Sequence, residues 1–180
     1  PVHIQHITTA RGVELVREGK QRGVRVTCEV TPHHLVLNED DITESYDTNL
    51  KMNPPLRTKE DNEVLIAAVA DGTIDCVVTD HAPHAAHEKE REFELAPFGM
   101  TGLETSLGVI LTYLVRPGFI SYERMVELMA IAPREILGLD PLSLKVGSCA
   151  DLTIFDPELV WTVSADDMYS KAKNSGFLGF

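Results

Sequence analysis

Short apolar segments that alternate with longer amphipathic ones dominate the first 80 residues of the chain. Three segments are rich in β-branched side chains, which is typical of β-strands. They are residues 1–9, whose strand ends at His6, residues 24–30 and residues 74–79. These segments are apolar enough to be covered on both faces, as in a parallel sheet that carries helices outside it. The alternation therefore predicts an α/β fold built on a parallel sheet.

The segments between and after these strands have apolar residues at helical spacing and recognisable helix ends. The predicted helices are residues 10–23, a short helix that Pro32 begins, a helix that Thr58 caps and Gly72 ends, and residues 103–115, 122–131 and 134–137. Residues 81–97 form a long polar loop, which is typical of a functional lid or a disordered segment.

The pattern changes after Gly138. Two short strand-like runs, residues 150–155 and 159–163, are separated by Asp156 and Pro157, which indicates a small antiparallel β unit. We therefore expect residues 1–138 to form an α/β domain and residues 139–180 to form part of a second, β-rich domain.

Composition and charge exclude several kinds of partner. The 180 residues carry a formal net charge of −12 and no dense basic cluster, so we expect no nucleic-acid binding. No apolar run approaches the roughly 18 residues of a membrane span, and the first residues do not resemble a signal peptide. We expect a soluble cytoplasmic protein in which Cys28, Cys76 and Cys149 are reduced and buried.

Candidate functional residues lie at the ends of the predicted strands. His6 closes the first strand, Thr31 to His34 follow the second, and Asp80 closes the third. The carboxyl ends of the strands of a parallel barrel open onto one face, so these side chains converge in space. Imidazole and carboxylate groups are suitable ligands for zinc or a similar ion, which lowers the pKa of bound water to about 7 and polarises a carbonyl oxygen. The sequence therefore indicates hydrolysis of an amide.

Each candidate also has a purely structural interpretation. A histidine at a strand end, such as His6, is often a hydrogen-bonded structural residue. An acid such as Asp80 must be paired or coordinated where it is partly buried. For His33 and His34, at the start of a helix, packing or hydrogen bonding to metal-binding residues is the favoured interpretation.

The remaining histidines have weaker signals. His81 and His84 lie on either side of Pro83, and we expect at most one of them to reach a substrate. Core packing is the expectation for His3, and surface exposure is the expectation for His87.

Five motifs, in order along the chain, resemble sequences of the dihydroorotases, which are amidohydrolase-superfamily enzymes of the bacterial class related to allantoinases and hydantoinases. The motifs are HITT (6–9), EVTPHHL (29–35), NPPLR (53–57), TDHAPH (79–84) and FGMTGLET (98–105). Two further segments, KVGSCADL (145–152) and SKAKN (170–174), are similar to the accessory β-sandwich of that family. The resemblance covers essentially the whole chain and is to the second half of a dihydroorotase.

This resemblance implies a (β/α)8 barrel, of which the chain supplies about strands six to eight, with one or two zinc ions at its carboxyl-end face. By similarity, His6 is a zinc ligand. Asp80 is both a ligand and the group that moves a proton from the attacking water to the departing nitrogen. The resemblance also assigns substrate contacts to four residues: Asn53, His84, Phe98 and Gly99.

Other metal ligands of the family have no equivalent in this sequence. They are a His-x-His pair on the first strand, a bridging carboxylate on the fourth and a histidine on the fifth. We therefore expect the chain to act with a missing N-terminal portion of the same protein. By itself we expect it to bind zinc weakly and to hydrolyse nothing.

The leading hypothesis is a zinc enzyme that interconverts N-carbamoyl-aspartate and dihydroorotate in pyrimidine biosynthesis, and Asn53 is the residue that favours it. One alternative is a related cyclic amidase acting on allantoin or hydantoin. Another is a non-catalytic homologue that serves as a scaffold for a transcarbamoylase. We also expect a homo-oligomer.

Overall fold

The structure, a computed structural model, describes residues 1–180 and contains one three-stranded parallel sheet. The strands are β1 (Val2–Ile4), β2 (Val26–Val30) and β3 (Cys76–Val77), and β2 lies in the centre. All three lie inside the segments predicted as strands, and both connections between them contain helices. The prediction of an α/β fold with a parallel sheet is therefore confirmed.

The register of the sheet aligns the carboxyl ends of its strands. Ile4 of β1 pairs with Cys28 of β2, and Val77 of β3 pairs with Val30. Beyond the strands the ladder continues, because the Ile7 amide donates to the Glu29 carbonyl at 2.9 Å. Residues that follow β1 and β3 consequently emerge on either side of the end of β2.

Seven α-helices accompany the sheet. They are α1 (Ala10–Gln21), α2 (Pro32–Val36), α3 (Lys59–Ala70), α4 (Ala86–Lys89), α5 (Ser106–Ile110), α6 (Tyr122–Val126) and α7 (Ala132–Leu137). Short 3₁₀ turns occupy Glu39–Asp41, Thr48–Leu50 and Ala165–Asp167. The predicted caps are present, since the side chains of Thr58 and Ser121 accept hydrogen bonds from the first turns of α3 and α6.

Two of the helices continue beyond their α-helical residues as π-helix. A π-helical segment, Leu111–Val115, extends α5, and a second one, Glu127–Ile131, joins α6 directly to α7. The two helices predicted at residues 122–131 and 134–137 are therefore continuous. Pro133 has no N–H to donate, and the wide π-helical turn before it accommodates that loss. Gly138 ends the helix in the left-handed conformation, with φ of 67°.

The main hydrophobic core lies between the sheet and the helices, with Val30, Val13 of α1, Leu65 of α3 and Leu128 among its buried members. A second, smaller cluster forms from the loops that follow the strands and from the C-terminal segment. It contains Leu37, Leu50, Met100 and Phe177 among others. This second cluster anchors residues that come last in the chain beside those that follow β2 and β3.

Residues 139–163 contain no helix or strand, so the strands predicted at 150–155 and 159–163 are absent from the structure. The side chains of Leu144, Val146 and Ile154 are almost fully exposed. A short strand is stable only when neighbouring strands accept its backbone hydrogen bonds and cover its apolar face. No such neighbour is present among the 180 residues.

The cysteines are all free, but only two match their expected environment. Cys28 and Cys76 are buried, and burial raises the pKa of their thiols to about 11 and about 12. Cys149 is exposed because it lies in the uncovered 139–163 segment, so the expectation that it is buried was wrong. No helix has the length and apolar character needed to cross a bilayer.

Candidate active site

His6 and Asp80 follow β1 and β3 and come together at the carboxyl edge of the sheet. Nε2 of His6 lies 3.7 Å from Oδ1 of Asp80. Both residues have a positive φ, 54° for His6 and 45° for Asp80, which is uncommon for residues other than glycine. Such strain costs about 1–3 kcal/mol per residue and is concentrated at functional sites. The convergence expected from the strand ends is present, and it is held in a conformation that an unconstrained chain would avoid.

Glu29, near the end of the central strand, faces the other side of the His6 ring. Its Oε1 lies 3.1 Å from Nδ1 of His6, although the two groups are not aligned as a hydrogen bond, so the contact is electrostatic. The Glu29 carboxylate raises the pKa of His6 above its ordinary value, against the effect of burial, and Asp80 adds to the rise. Burial raises the pKa of Glu29, but His6 and His3 outweigh burial and lower it. Glu29 was not predicted as a site residue, although an acid inside an apolar strand was a usable signal.

His3 is a structural partner of Glu29. Its Nε2 lies 2.8 Å from Glu29 Oε2, and its Nδ1 lies 2.8 Å from the Thr27 hydroxyl. Cys76 Sγ belongs to the same cluster, in which the potential ligand atoms lie within 4.8 Å of one another. Both His3 nitrogens are engaged in hydrogen bonds, which accounts for this cluster as a polar contact inside the sheet. His3 was expected in the core, and it is partly buried there through hydrogen bonds.

The donors of His6 and Asp80 fit a divalent metal ion. Two atoms that bind one ion at about 2.1 Å in tetrahedral geometry lie about 3.4 Å apart, close to the 3.7 Å observed. The buried Nδ1 of His6 lies 3.1 Å from the Glu29 carboxylate, so a small realignment would give the arrangement in which an acid accepts the N–H of a metal-binding imidazole and orients the ring. Two ligands are fewer than the three or four of a zinc site, so an ion here needs ligands beyond this pair.

His34 holds the segment that contains Asn53. Its Nε2 donates to the Pro54 carbonyl at 2.8 Å, and its Nδ1 therefore accepts from the Thr31 hydroxyl at 2.7 Å. Burial lowers the pKa of His34 to about 4, so the ring is neutral near pH 7. His33 is equally buried, with no partner for Nε2. His34 therefore serves local hydrogen bonding and His33 packs beside it, with ring centres 4.4 Å apart, while the exposed Asn53 side chain has no partner in the chain.

His84 lies against the loop that contains Phe98 and Gly99. Its Nε2 donates to the Phe98 carbonyl at 2.9 Å. The Gly99 amide donates to the Lys51 carbonyl at 2.8 Å, whereas the Phe98 amide makes no hydrogen bond within the chain. Of the two amides expected to meet a substrate, only that of Phe98 is therefore available. His81 instead accepts a hydrogen bond from the Gly102 amide.

Two lysines that the sequence analysis did not consider hold this loop in place. Lys51 Nζ donates to the carbonyls of Glu94 and Ala96 and lies 4.6 Å from the centre of the Phe98 ring. Lys89 Nζ donates to the carbonyls of Pro97 and Gly99, at 3.0 Å each. Burial lowers the pKa of Lys89 to about 8. Buried charge-assisted hydrogen bonds from the two lysines therefore hold the polar segment 81–97 in an ordered conformation in this structure.

Comparison with known proteins gives a consistent result. No protein-family model matches the chain. The dihydroorotase of Geobacter metallireducens is 50% identical over 180 residues, which are 100% of this chain and 42% of that protein. The dihydroorotase of Chlorobaculum tepidum is 48% identical over 178 residues, 98% of this chain and 40% of that protein.

Solved structures share the fold of the chain. The L-hydantoinase (dihydropyrimidinase) from Arthrobacter aurescens superposes with a TM-score of 0.91 at 36% identity, over 98% of this chain and 40% of that one. The D-hydantoinase (dihydropyrimidinase) from Thermus sp. superposes with a TM-score of 0.90 at 28% identity, over 99% and 40%. The chain is therefore a homologue of the dihydroorotases over its whole length, and it spans about two fifths of the length of these relatives.

Proposed function

We propose that this chain is the part of a metal-dependent dihydroorotase that carries the catalytic carboxylate. The observation that carries this function is the 3.7 Å approach of His6 and Asp80, in a chain about 50% identical throughout to proteins named dihydroorotase. These relatives are more than twice as long as the chain. The activity is therefore assigned to a polypeptide in which the chain is joined to the rest of a dihydroorotase, called below the complete enzyme.

In the complete enzyme, residues 1–138 would supply about strands six to eight of a (β/α)8 barrel, and residues 139–180 part of a β-sandwich. The open edges of the sheet support this architecture, because β1 and β3 each have one neighbour. An unpaired edge exposes backbone donors and acceptors that further strands would satisfy. The exposed apolar side chains of residues 139–163 are likewise suited to packing against additional strands.

His6 Nε2 and Asp80 Oδ1 would hold one or two zinc ions together with ligands from the rest of the enzyme. Zinc, when bound, lowers the pKa of water to about 7 and polarises a carbonyl oxygen. Glu29 fixes the orientation of the His6 ring from the Nδ1 side. Zinc binding is therefore expected to depend on three residues of this chain, with His6 and Asp80 as ligands and Glu29 orienting the His6 ring.

Asp80 carries the proton in the reaction. In the hydrolytic direction its carboxylate accepts a proton from water as the water oxygen bonds to the ring carbonyl carbon. The ring carbon–nitrogen bond then breaks, Asp80 returns the proton to the nitrogen, and the former carbonyl becomes the new carboxyl group of N-carbamoyl-aspartate, which loses its remaining proton to solvent. The same steps in reverse close the ring. A positioned acid or base of this kind contributes about 10²–10⁴-fold to the rate.

Substrate contacts are proposed for Asn53, His84, Phe98 and Gly99. The Asn53 amide is exposed and unpartnered, and the Phe98 amide N–H is free to donate. Nε2 of His84 is bound to the Phe98 carbonyl, and its Nδ1, which makes no hydrogen bond, lies 3.9 Å from Glu88 Oε2. Gly99 contributes through shape, because it allows the loop to approach Ala82 closely.

The function is tested with Asp80→Asn in the complete enzyme, with Glu63→Gln, an exposed position on helix α3, as the control. We expect Asp80→Asn to lower turnover of dihydroorotate by at least about 100-fold and Glu63→Gln to leave it unchanged. Circular dichroism establishes that both variants fold. Wild-type turnover by Asp80→Asn would contradict the role of Asp80.

Two other functions remain as outcomes of the same assay. The fold shared with hydantoinases favours a cyclic amidase of different specificity as the second candidate. Turnover of dihydroorotate, hydantoin and allantoin by the wild-type enzyme separates these activities. A protein that turns over none of them, but binds a transcarbamoylase, would instead be a scaffold. We further propose a homo-oligomer, which light scattering after gel filtration tests.

A further inference from the structure

Asn174, in the C-terminal segment, is buried, and both polar atoms of its side chain form hydrogen bonds with the two loops described above. Its Nδ2 donates to the carbonyls of Ala82 at 3.0 Å and Gly99 at 3.3 Å. Its Oδ1 accepts from the His84 amide at 3.0 Å. One side chain therefore joins the loop that follows β3 to the loop that contains Phe98.

The backbone of Asn174 strengthens the same connection. Its carbonyl accepts from the Thr101 amide at 2.8 Å and from the Thr101 hydroxyl at 3.1 Å. The two loops also contact each other directly, because the Ala82 amide donates to the Met100 carbonyl at 2.9 Å. Asn174 thus completes a three-way junction between the 80–84 loop, the 98–101 loop and the C-terminal segment.

The position of Asn174 is fixed by packing that does not involve the junction. Phe177 is 1% exposed and lies in the second hydrophobic cluster. A methyl group added at Gly176 would lie only 2.9 Å from Leu50 Cδ2, so the backbone there fits closely against the loop that follows α2. Packing at Phe177 and Gly176 therefore fixes the position of Asn174, so that its side chain can hold the two loops in place.

We propose that Asn174 is a positioning residue that sets the distance between His84 and Phe98, so that both meet dihydroorotate together. This role rests on the function proposed above, in which these two residues contact the substrate. The junction requires two donors and one acceptor at fixed places, which only an asparagine side chain of this length supplies. An aspartate would keep the acceptor but face the carbonyls of Ala82 and Gly99 with a negative charge.

The test compares Asn174→Asp and Asn174→Ala with Asn62→Asp in the complete enzyme. Asn62 is a matched control, because it is also buried and its Nδ2 donates to two carbonyls, those of His34 at 2.7 Å and Leu37 at 3.1 Å. We expect both Asn174 variants to raise KM for dihydroorotate by about 10-fold or more, since small displacements of substrate-contacting groups have large effects. Bound zinc should be unchanged, and Asn62→Asp should lower Tm while leaving KM within about twofold of wild type.

Amide hydrogen exchange provides a readout that needs no substrate. We expect faster exchange in residues 81–84 and 98–101 of both Asn174 variants and wild-type exchange there in Asn62→Asp. Wild-type exchange in the Asn174 variants would overturn the positioning role whatever their activity, and so would an unchanged KM in an active enzyme. A wild-type enzyme that does not turn over dihydroorotate would refute the proposed function and the substrate part of this role, whereas exchange would still decide whether Asn174 fixes the loops.

Discussion

Replacing Gly99 by alanine introduces two separable defects beside the proposed substrate loop. Gly99 has φ of 101°, where a side chain is strained, and an added Cβ would lie 2.6 Å from the Cβ of Ala82. The conformational strain costs about 1–3 kcal/mol. Forcing a methyl group into a filled site costs about 1–3 kcal/mol more. We therefore expect Gly99→Ala to lower the free energy of unfolding by about 2–6 kcal/mol.

Gly118 allows the two effects to be measured apart. Its φ is 84°, but a Cβ there would meet nothing within 4 Å, so Gly118→Ala reports the conformational cost alone. In Gly99→Ala the contact with Ala82 is added, and the double variant with Ala82→Gly removes that contact again. The double variant should therefore recover about 1–3 kcal/mol relative to Gly99→Ala, after correction for Ala82→Gly itself.

The assay is urea denaturation of the 180-residue chain, followed by circular dichroism, for wild type and these variants. We expect Gly99→Ala to be less stable than Gly118→Ala, and Gly99 and Ala82 to be energetically coupled. Equal losses for the two glycine variants, together with additive effects of Gly99→Ala and Ala82→Gly, would show that the loop relaxes freely and that close packing does not fix it.

Two further predictions concern the histidine and acid contacts. His34→Leu leaves the Pro54 carbonyl without its donor and should lower the free energy of unfolding by about 1–3 kcal/mol at pH 7. Because burial lowers the pKa of His34 from 6.5 to about 4, wild-type stability falls as the pH falls from 6.5 to 4. The stability difference between wild type and His34→Leu in urea should therefore shrink over that range, and a constant difference would refute a neutral buried His34. Glu29→Gln in the complete enzyme should weaken zinc binding about 10–100-fold in competition with a chelator, and unchanged affinity would show that Glu29 does not orient His6.

Local signals in the sequence were sufficient to predict the helix ends and strand ends that position the candidate site. Thr58, Ser121 and Gly138 mark helix ends through hydrogen bonds and backbone preferences that involve only a few neighbouring residues. His6 and Asp80 were identified because parallel strands end at one edge, a rule that depends on topology alone. These features are local or follow from the strand order, so a single sequence contains them.

The contacts that sequence reasoning missed depend on long-range placement. Neither Lys51 nor Lys89 was singled out from the sequence, because a lysine is rarely buried and nothing local indicates which carbonyls it will reach. Asn174 was placed in a β-sandwich motif, although its side chain contacts Ala82, 92 positions away. The strands expected at 150–155 and 159–163 were predicted from local pattern, but a strand also needs a neighbour, and pattern does not supply one.

The junction at Asn174 has a consequence for synthesis on the ribosome. Asn174 follows Thr101 by 73 positions, so the loops that flank His84 and Phe98 are translated well before the residue that joins them. At about 5–20 residues per second, this interval lasts roughly 4–15 s. During that time the sheet and α3 can already pack, while the loops have only Lys51, Lys89 and their direct contacts. Completion of the junction thus follows synthesis of the sheet and of both loops, and a stop codon or protease cut shortly before Asn174 would release the loops while leaving the sheet intact.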